Sequence, residues 1–426
     1  MTRYVDLDAA ASTSPLPAVE DAVRAFLAEY GSVHRGSGRH SKLSTDAYDH
    51  ARRVIRRFVG AGEEDYVLFT GNTTGAMNVI AHHLSFLRGG VAVSSLEHSS
   101  SLLPFVKAEG ERAVQGRQFA LEELDSVAEQ IQLAGRKNVH KYIIDPFRGI
   151  DLESLETLLS THKTKAVVLT ASSNLTGYCP PIREVARLAH SHGALLVLDG
   201  CQFVQHHVLN MEAEGVDFVA ASGHKFYAPY GGGFLVGPKW FFDRFLPYQI
   251  GGGNLPYITG DGEFLRFKIE LAHDPGTPNA VGAVAMAAAL EEMEKIGLDR
   301  IFSHEKALAM RAHEGLSSIP GVELYVERER LGTVVPFNLR GQDPKEVAEI
   351  LSTQFDIGVR AGSFCVYEGV RQLLGITPEE DARIAERVRL GDTSSIPGLI
   401  RASVCWHTRT EDVDRLIEAV RVVAGG

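Results

Sequence analysis

Between residues 50 and 240, short and nearly uninterrupted apolar runs alternate with stretches whose apolar positions recur every three or four residues. The runs YVLF (66–69), VAVS (91–94), KYII (141–144), AVVLT (166–170), ALLVLD (194–199) and DFVAAS (217–222) predict strands. TTGAMNVIAHHL (73–84), DLESLETLLSTH (151–162) and IREVARLAHSHG (182–193) predict helices between them. A strand that is apolar along its whole length has both faces buried. The pattern therefore predicts an α/β fold, a mostly parallel sheet flanked by helices. Ligands of such sheets sit outside the carboxyl ends of the strands. Those ends carry polar residues here: 70–74, Asn174, Asp199 and 222–225.

After residue 250 the texture changes. GGGNLPYITGDGEF is a glycine-rich loop, and PNAVGAVAMAAALEEMEKIG (278–297) predicts a long helix with small residues on several faces. GTVVPFNL (332–339) and LIRASV (399–404) predict two more strands among helices. The expected organisation is a large α/β domain over 15–260 and a smaller α+β domain formed by 1–14 and 261–426.

Composition narrows the function classes. The 426 residues carry 43 Lys plus Arg against 54 Asp plus Glu, a formal charge of −11 with no basic cluster. That balance argues against nucleic acid or an anionic membrane as the main partner. The opening MTRYVDLDAAASTS has no apolar signal core and no run reaches spanning length, so a cytoplasmic protein is expected. Four scattered cysteines, Cys179, Cys201, Cys365 and Cys405, make no CxxC pair and no disulfide framework. The pairs His82–His83 and His206–His207 are adjacent in sequence, so their side chains diverge, and no metal site is expected.

One stretch raises a chemical question. ASGHKFYAPYGGG (221–233) places Lys225 directly behind a predicted buried strand and ahead of a flexible glycine run. A lysine held there suits a Schiff base with pyridoxal phosphate, which makes further demands. The ring nitrogen needs a buried carboxylate, and Asp199 closes a strand. The phosphate needs backbone N–H groups at a helix start with hydroxyls nearby, and TGNTTGAMN (70–78) supplies Thr73 and Thr74. Asn174 and Gln202 can donate to the phenolic oxygen, and His98 in SSLEHSSS can stack on the ring. Each feature has an ordinary alternative, such as an N-cap or a loop histidine. Their joint placement at strand ends is what points to the cofactor.

The motifs carrying these residues give the chain its resemblance. VDLDAAAST, VHRGSGRHSKLS (33–44), FTGNTTGAMNVIA (69–81), LEHSS (96–100), SSNLTG (172–177), HGALLVLDGCQ (192–202), SGHKFYAPYGGG (222–233), GTPN (276–279), VRAGSFC (359–365) and RAS (401–403) resemble the class V branch of fold-type I pyridoxal-phosphate enzymes. Within that branch the chain is similar to the cysteine desulfurase and selenocysteine lyase group. The resemblance implies that Lys225 carries the cofactor, Asp199 pairs with the ring nitrogen and His98 stacks on the ring. It implies Asn174 and Gln202 near the phenolic oxygen, and Thr73, Thr74, Ser222 and His224 as phosphate ligands. Thr277 is similar to a residue that reaches the phosphate of a neighbouring subunit, which implies a homodimer with shared active sites. His34 and Arg35 would lie near that interface and the substrate. Arg360 matches the arginine that pairs with the substrate carboxylate, a task suited to a guanidinium fork, and Arg401 a second arginine beside it.

Cys365 decides between reactions. It follows Arg360 by five positions, where desulfurases of this kind place the nucleophile that takes sulfur from cysteine as a persulfide and leaves alanine. Possible partners are then a small amino acid and a sulfur-acceptor protein. An aminotransferase, or a C–S lyase for another amino acid, would keep Lys225, Asp199 and Arg360 and use Cys365 only for packing. Two stretches, 109–140 and 368–398, are extra length relative to the resemblance, and CVYEG replaces the Ala and Pro that usually follow the cysteine.

Overall fold

A computed structural model describes residues 3–34, 36–117, 124–265 and 268–425. Its centre is a seven-stranded sheet in the order Asp65–Thr70, Gly233–Pro238, Phe218–Ser222, Leu195–Asp199, Thr164–Thr170, Gly90–Ser94 and Val139–Tyr142. Six strands run parallel; Gly233–Pro238 is antiparallel to both neighbours. Its run GFLVGP is bracketed by glycine and proline, and the hydropathy pattern does not predict it. The strands Gly90–Ser94, Thr164–Thr170 and Phe218–Ser222 are buried along their whole length, as expected of a sheet covered on both faces.

The predicted strand at 141–144 begins earlier and stops at Tyr142. Ile143 is exposed, and Ile144–Asp145 pairs instead with Gly149–Ile150 as a small hairpin. Much of the extra stretch at 109–140 is helical, with Ser99–Val114 and Leu124–Arg136 packed together. Glycine permits that closeness: a Cβ on Gly110 would lie 1.9 Å from the Ile131 carbonyl oxygen. The other extra stretch forms helices Tyr367–Leu373 and Pro378–Arg389, the second opened by a Thr377–Glu380 capping box.

A second sheet, in the order Val322–Leu324, Val334–Leu339, Leu399–Ser403 and Arg360–Gly362, is antiparallel throughout. Helices Leu298–Ser317, Pro344–Phe355 and Thr410–Gly425 cover it around Leu316, Phe337, Leu351 and Leu416. The chain start belongs beside this sheet, because Val5–Asp6 pairs in parallel with Ile357–Gly358.

Helix Ala280–Ile296, expected in the smaller unit, packs instead against helices Pro17–Ala28 and Arg39–Phe58 in the large core. Its alanines and Gly282 present no bulk, so neighbouring backbones approach on several sides at once. Asn279 caps its start by accepting from the Gly282 N–H, and Gly297, at φ 93°, ends it. Phe364, Val366 and Val370 also join the large core, so the segment after Arg360 is fastened to both units. Among the described residues no helix is long and apolar enough to cross a membrane.

Candidate active site

A cavity of about 330 Å³ opens at the carboxyl ends of the parallel strands. Lys225, Asp199, His98, Asn174, Gln202, Thr73, Thr74, Ser222, His224, Arg360, Arg401 and Cys365 all line it. The fold thus gathers twelve of the sequence candidates into one place. His34 and Thr277 are not among them: they lie together in a separate depression with Gly252, Gly253 and Asp274. That depression is built beside Thr45 and Asp49 of helix Arg39–Phe58, away from the strand ends, so within a single chain it does not include Lys225. Arg35 lies outside the described residues.

Lys225 follows strand Phe218–Ser222 on a single 3₁₀ turn, Gly223–Lys225. Its Nζ donates to the Ala10 carbonyl at 2.6 Å, and Gln202 Nε2 donates to the same oxygen at 2.7 Å. Burial pushes the Lys225 ammonium below its ordinary pKa; Cys201 opposes that shift and Arg401 adds to it. A lysine in such a place releases its proton more readily than one on the surface, as a nucleophilic amine must.

Asp199 ends strand Leu195–Asp199 and is buried. Its Oδ1 accepts from the Cys201 N–H at 3.0 Å, and Oδ2 accepts from the Ser101 hydroxyl. Helix Thr73–Ser85 starts at the rim with Asn72 as N-cap. The Thr73 N–H donates to Ser222 Oγ at 2.7 Å, and the Thr74 and Ser100 hydroxyls meet at 2.8 Å. Hydroxyls beside a helix N-terminus make a cup suited to an anion.

His98 is the N-cap of helix Ser99–Val114, and its Nδ1 accepts from the Ser100 N–H at 3.1 Å. The ring proton therefore sits on Nε2. Burial lowers the pKa of His98, while Asp199 opposes that shift, so the neutral ring is favoured. Behind it Glu97 is buried, accepting from Ser94 Oγ at 2.6 Å, the Thr170 N–H at 2.9 Å and Thr170 Oγ1 at 2.7 Å. Burial nevertheless raises its carboxyl from 4.5 to about 7. A raised folded-state pKa adds stability that is full below about 4.5 and gone above about 7. Glu97→Gln is expected to keep, between pH 5 and 8, up to about 3 kcal/mol that the natural protein loses. Urea denaturation at the two pH values measures it, and parallel losses in both proteins would refute the assignment.

Cys365 is exposed on a turn in which Phe364 and Cys365 both adopt left-handed φ, 51° and 59°. That region is costly for residues bearing a Cβ. Three hydrogen bonds from other segments brace the turn: Ser99 N–H (2.8 Å) and Oγ (3.0 Å) donate to the Cys365 carbonyl, and Asn174 Nδ2 donates to that of Phe364 at 2.9 Å. The turn is thereby held where Cys365 lines the cavity that also holds Lys225.

The arginines behave differently from each other. Arg401 is 1% exposed, gives Nη1 to the Asn174 carbonyl at 2.9 Å and lies 4.7 Å from the Phe364 ring centroid. Burial pushes its pKa down to about 10, against the opposing pull of Asp8. Arg360 is half exposed and paired with Asp8 at 2.8 Å. Asp8, Ser100 and Ser101 were not among the sequence candidates. Asp8 stands in VDLDAAAST and the serines directly follow His98, so the motifs were visible while the roles of these residues were not.

Comparison with known proteins gives the family. The aminotransferase class-V family model matches residues 5–125 and 116–416. A probable cysteine desulfurase of Halalkalibacterium halodurans is 32% identical over 98% of this chain and 92% of its own. One of Methanothermobacter thermautotrophicus is 30% identical over 99% and 95%. Among solved structures, a cysteine desulfurase of Thermococcus onnurineus superposes with a TM-score of 0.81 at 28% identity, covering 99% of this chain and 95% of that one. The Escherichia coli cysteine desulfurase CsdA gives 0.80 at 26%, with the same coverage. The chain belongs to the aminotransferase class-V family, as an enzyme of the cysteine desulfurase type.

Proposed function

We propose that this enzyme removes sulfur from L-cysteine to give alanine, with Cys365 receiving the sulfur and pyridoxal phosphate as its cofactor. The observation that carries the reading is the placement of an exposed thiol, Cys365, on a braced turn lining the same cavity as Lys225 and both arginines. An aminotransferase has no use for a thiol held at that point.

Enzymes of this family generally depend on pyridoxal phosphate, and the residues fit it. A buried carboxylate, Asp199, suits a protonated ring nitrogen; the hydroxyls of Thr73, Thr74 and Ser222 at a helix start suit a phosphate; Lys225 suits a covalent anchor. His98, Asn174, Gln202 and His224 complete the surroundings. When bound, the cofactor supplies an electron sink for the pair left at Cα once its proton is removed. The chain's own residues do the rest. Arg360 and Arg401 orient the substrate carboxylate through guanidinium donors. The Lys225 amine, with its ammonium pKa lowered by burial, takes the Cα proton. Cys365 Sγ, as thiolate, attacks the substrate sulfur; the S–S bond forms as the C–S bond breaks, and the electron pair stays with the departing three-carbon unit. His98, neutral with its proton on Nε2, can donate to the substrate or recover a proton there. A reductant or an acceptor protein then takes the sulfur from Cys365. We further propose that the chain works as a homodimer, in which Thr277 and His34 of one subunit approach the site of the other.

The test is alanine and sulfide release from L-cysteine with a thiol reductant, comparing the natural protein with Cys365→Ala. The variant is expected to lose at least about 10²-fold in rate with its cofactor absorbance intact, the scale of removing a nucleophile. Equal rates would leave a simple C–S lyase.

A further inference from the structure

The segment Ala10–Thr13 touches Lys225 at both ends. At the tip, Nζ donates to the Ala10 carbonyl at 2.6 Å. At the root, Thr13 grips a peptide group on either side of the lysine. Its N–H donates to the His224 carbonyl at 2.8 Å and its Oγ1 donates to the same oxygen at 3.2 Å, which Ser12 Oγ also reaches at 3.2 Å. Thr13 Oγ1 in turn accepts from the Tyr227 N–H at 2.7 Å. One hydroxyl is thus donor and acceptor at once, and it spans the turn from the residue before Lys225 to the second residue after it.

Tyr227 gives that hydroxyl its importance. The tyrosine is buried and adopts a left-handed φ of 66°, a costly conformation for a residue bearing a ring. Its N–H is thereby turned towards Thr13, while the N–H groups of Phe226 and Ala228 share the Gly223 carbonyl. The far end of the ring is held as well: the Tyr227 hydroxyl donates to Glu305 Oε1 at 3.1 Å and accepts from the Trp406 N–H at 3.0 Å. Without the Thr13 hydroxyl a buried N–H loses its partner while the strain remains, so the backbone at 226–227 relaxes. Lys225 moves with it.

We propose that Thr13 is a positioning residue: it holds the backbone on both sides of Lys225 so that the amine stands where it forms its covalent link with the cofactor. The inference rests on the cofactor assignment above and not on which reaction follows. Ala10 and Ala11 line the cavity but Thr13, 3% exposed, does not, so it acts through the lysine. Reacting atoms misplaced by about 1 Å lose up to about 10²-fold in rate. The cup suited to the phosphate, with Thr73, Thr74 and Ser222, is built without Thr13.

The experiment mixes the whole chain, freed of cofactor, with two probes. Pyridoxal phosphate carries an aldehyde that joins the lysine amine with loss of water. Pyridoxine phosphate has the same ring and phosphate but an alcohol in that place, so it binds without linking. Stopped-flow absorbance gives the rate of link formation, and calorimetry gives the affinity for the alcohol. Thr13→Val, nearly isosteric, should slow the link at least tenfold and change the affinity for the alcohol less than threefold. Thr13→Ser keeps the hydroxyl and should stay within threefold of the natural protein in both. Equal losses with the two probes would reflect general disruption of the site and overturn the inference. So would an unchanged rate in a folded Thr13→Val protein, or a Thr13→Ser protein as slow as Thr13→Val. If Thr13→Val does not fold, Thr13→Ala reads the same missing hydroxyl. No link at Lys225 in the natural protein would overturn the cofactor assignment and the inference together. Cysteine turnover assayed in parallel separates the desulfurase reading: its failure beside a link slowed only in Thr13→Val sinks that reading and supports this one.

Discussion

Lys225→Ala lowers alanine and sulfide formation by at least about 10³-fold while the protein stays folded. On the proposed mechanism the magnitude follows from losing a covalent anchor and a proton acceptor together, of which proton transfer alone is worth about 10²–10⁴. Folding survives for a structural reason. Lys225 Nζ donates to the Ala10 carbonyl, which Gln202 Nε2 also serves, so that buried acceptor keeps a partner in the variant. The turn carrying the lysine is held by backbone bonds, Phe226 N–H and Ala228 N–H to the Gly223 carbonyl. The measurement pairs the cysteine assay with thermal unfolding and with absorbance of added pyridoxal phosphate. A folded variant that keeps more than a tenth of the rate would remove Lys225 from the chemistry.

Asp199→Asn is expected to cut kcat by about 10²–10³ with KM for cysteine changed less than about threefold, the scale of losing one preorganised charge. The substitution isolates charge from shape. An amide oxygen can still accept from the Cys201 N–H, and the amide nitrogen can donate to Ser101 Oγ, whose hydroxyl turns to accept. What disappears is the negative charge at the end of strand Leu195–Asp199, the group suited to keep a ring nitrogen protonated. On the proposed function the substrate carboxylate is held elsewhere, by Arg360 and Arg401, which is why KM should move little. If kcat stays within threefold, Asp199 is a turn residue and does not face the cofactor's ring nitrogen.

These effects concern residues that the amino-acid order already singled out, and the reason is locality. A strand that is apolar throughout announces a two-sided burial, and the polar residue at its carboxyl end inherits a position at the mouth of the sheet. Asp199 and Ser222 end such strands, and Lys225 follows three residues later. Thr73 opens a helix directly after the strand ending at Thr70, and His98 caps another beyond the strand ending at Ser94. Each of these residues is thus tied to a period read within a dozen positions.

Where locality ends, the sequence by itself ran out. Hydropathy reports that a side chain is buried and not what it is buried against. The alanine-rich helix Ala280–Ile296 was legible as a helix, yet only packing placed it in the large core rather than the small one. The antiparallel strand Gly233–Pro238 was invisible because six residues between turn formers carry too little periodicity. His34 and Thr277 were drawn to the site by resemblance, and the fold of one chain sets them in a different depression. Asp8 shows the limit most plainly. It meets Arg360 and Arg401 across 352 and 393 positions of chain, through a parallel pairing of two-residue strands. The sequence alone determined the parallel part of the sheet, the lysine at its edge and the cysteine beyond Arg360. The tertiary structure decided which carboxylate pairs with the arginines and which distant residues brace the turn of Cys365, because contacts between segments far apart in the chain are encoded by no local pattern.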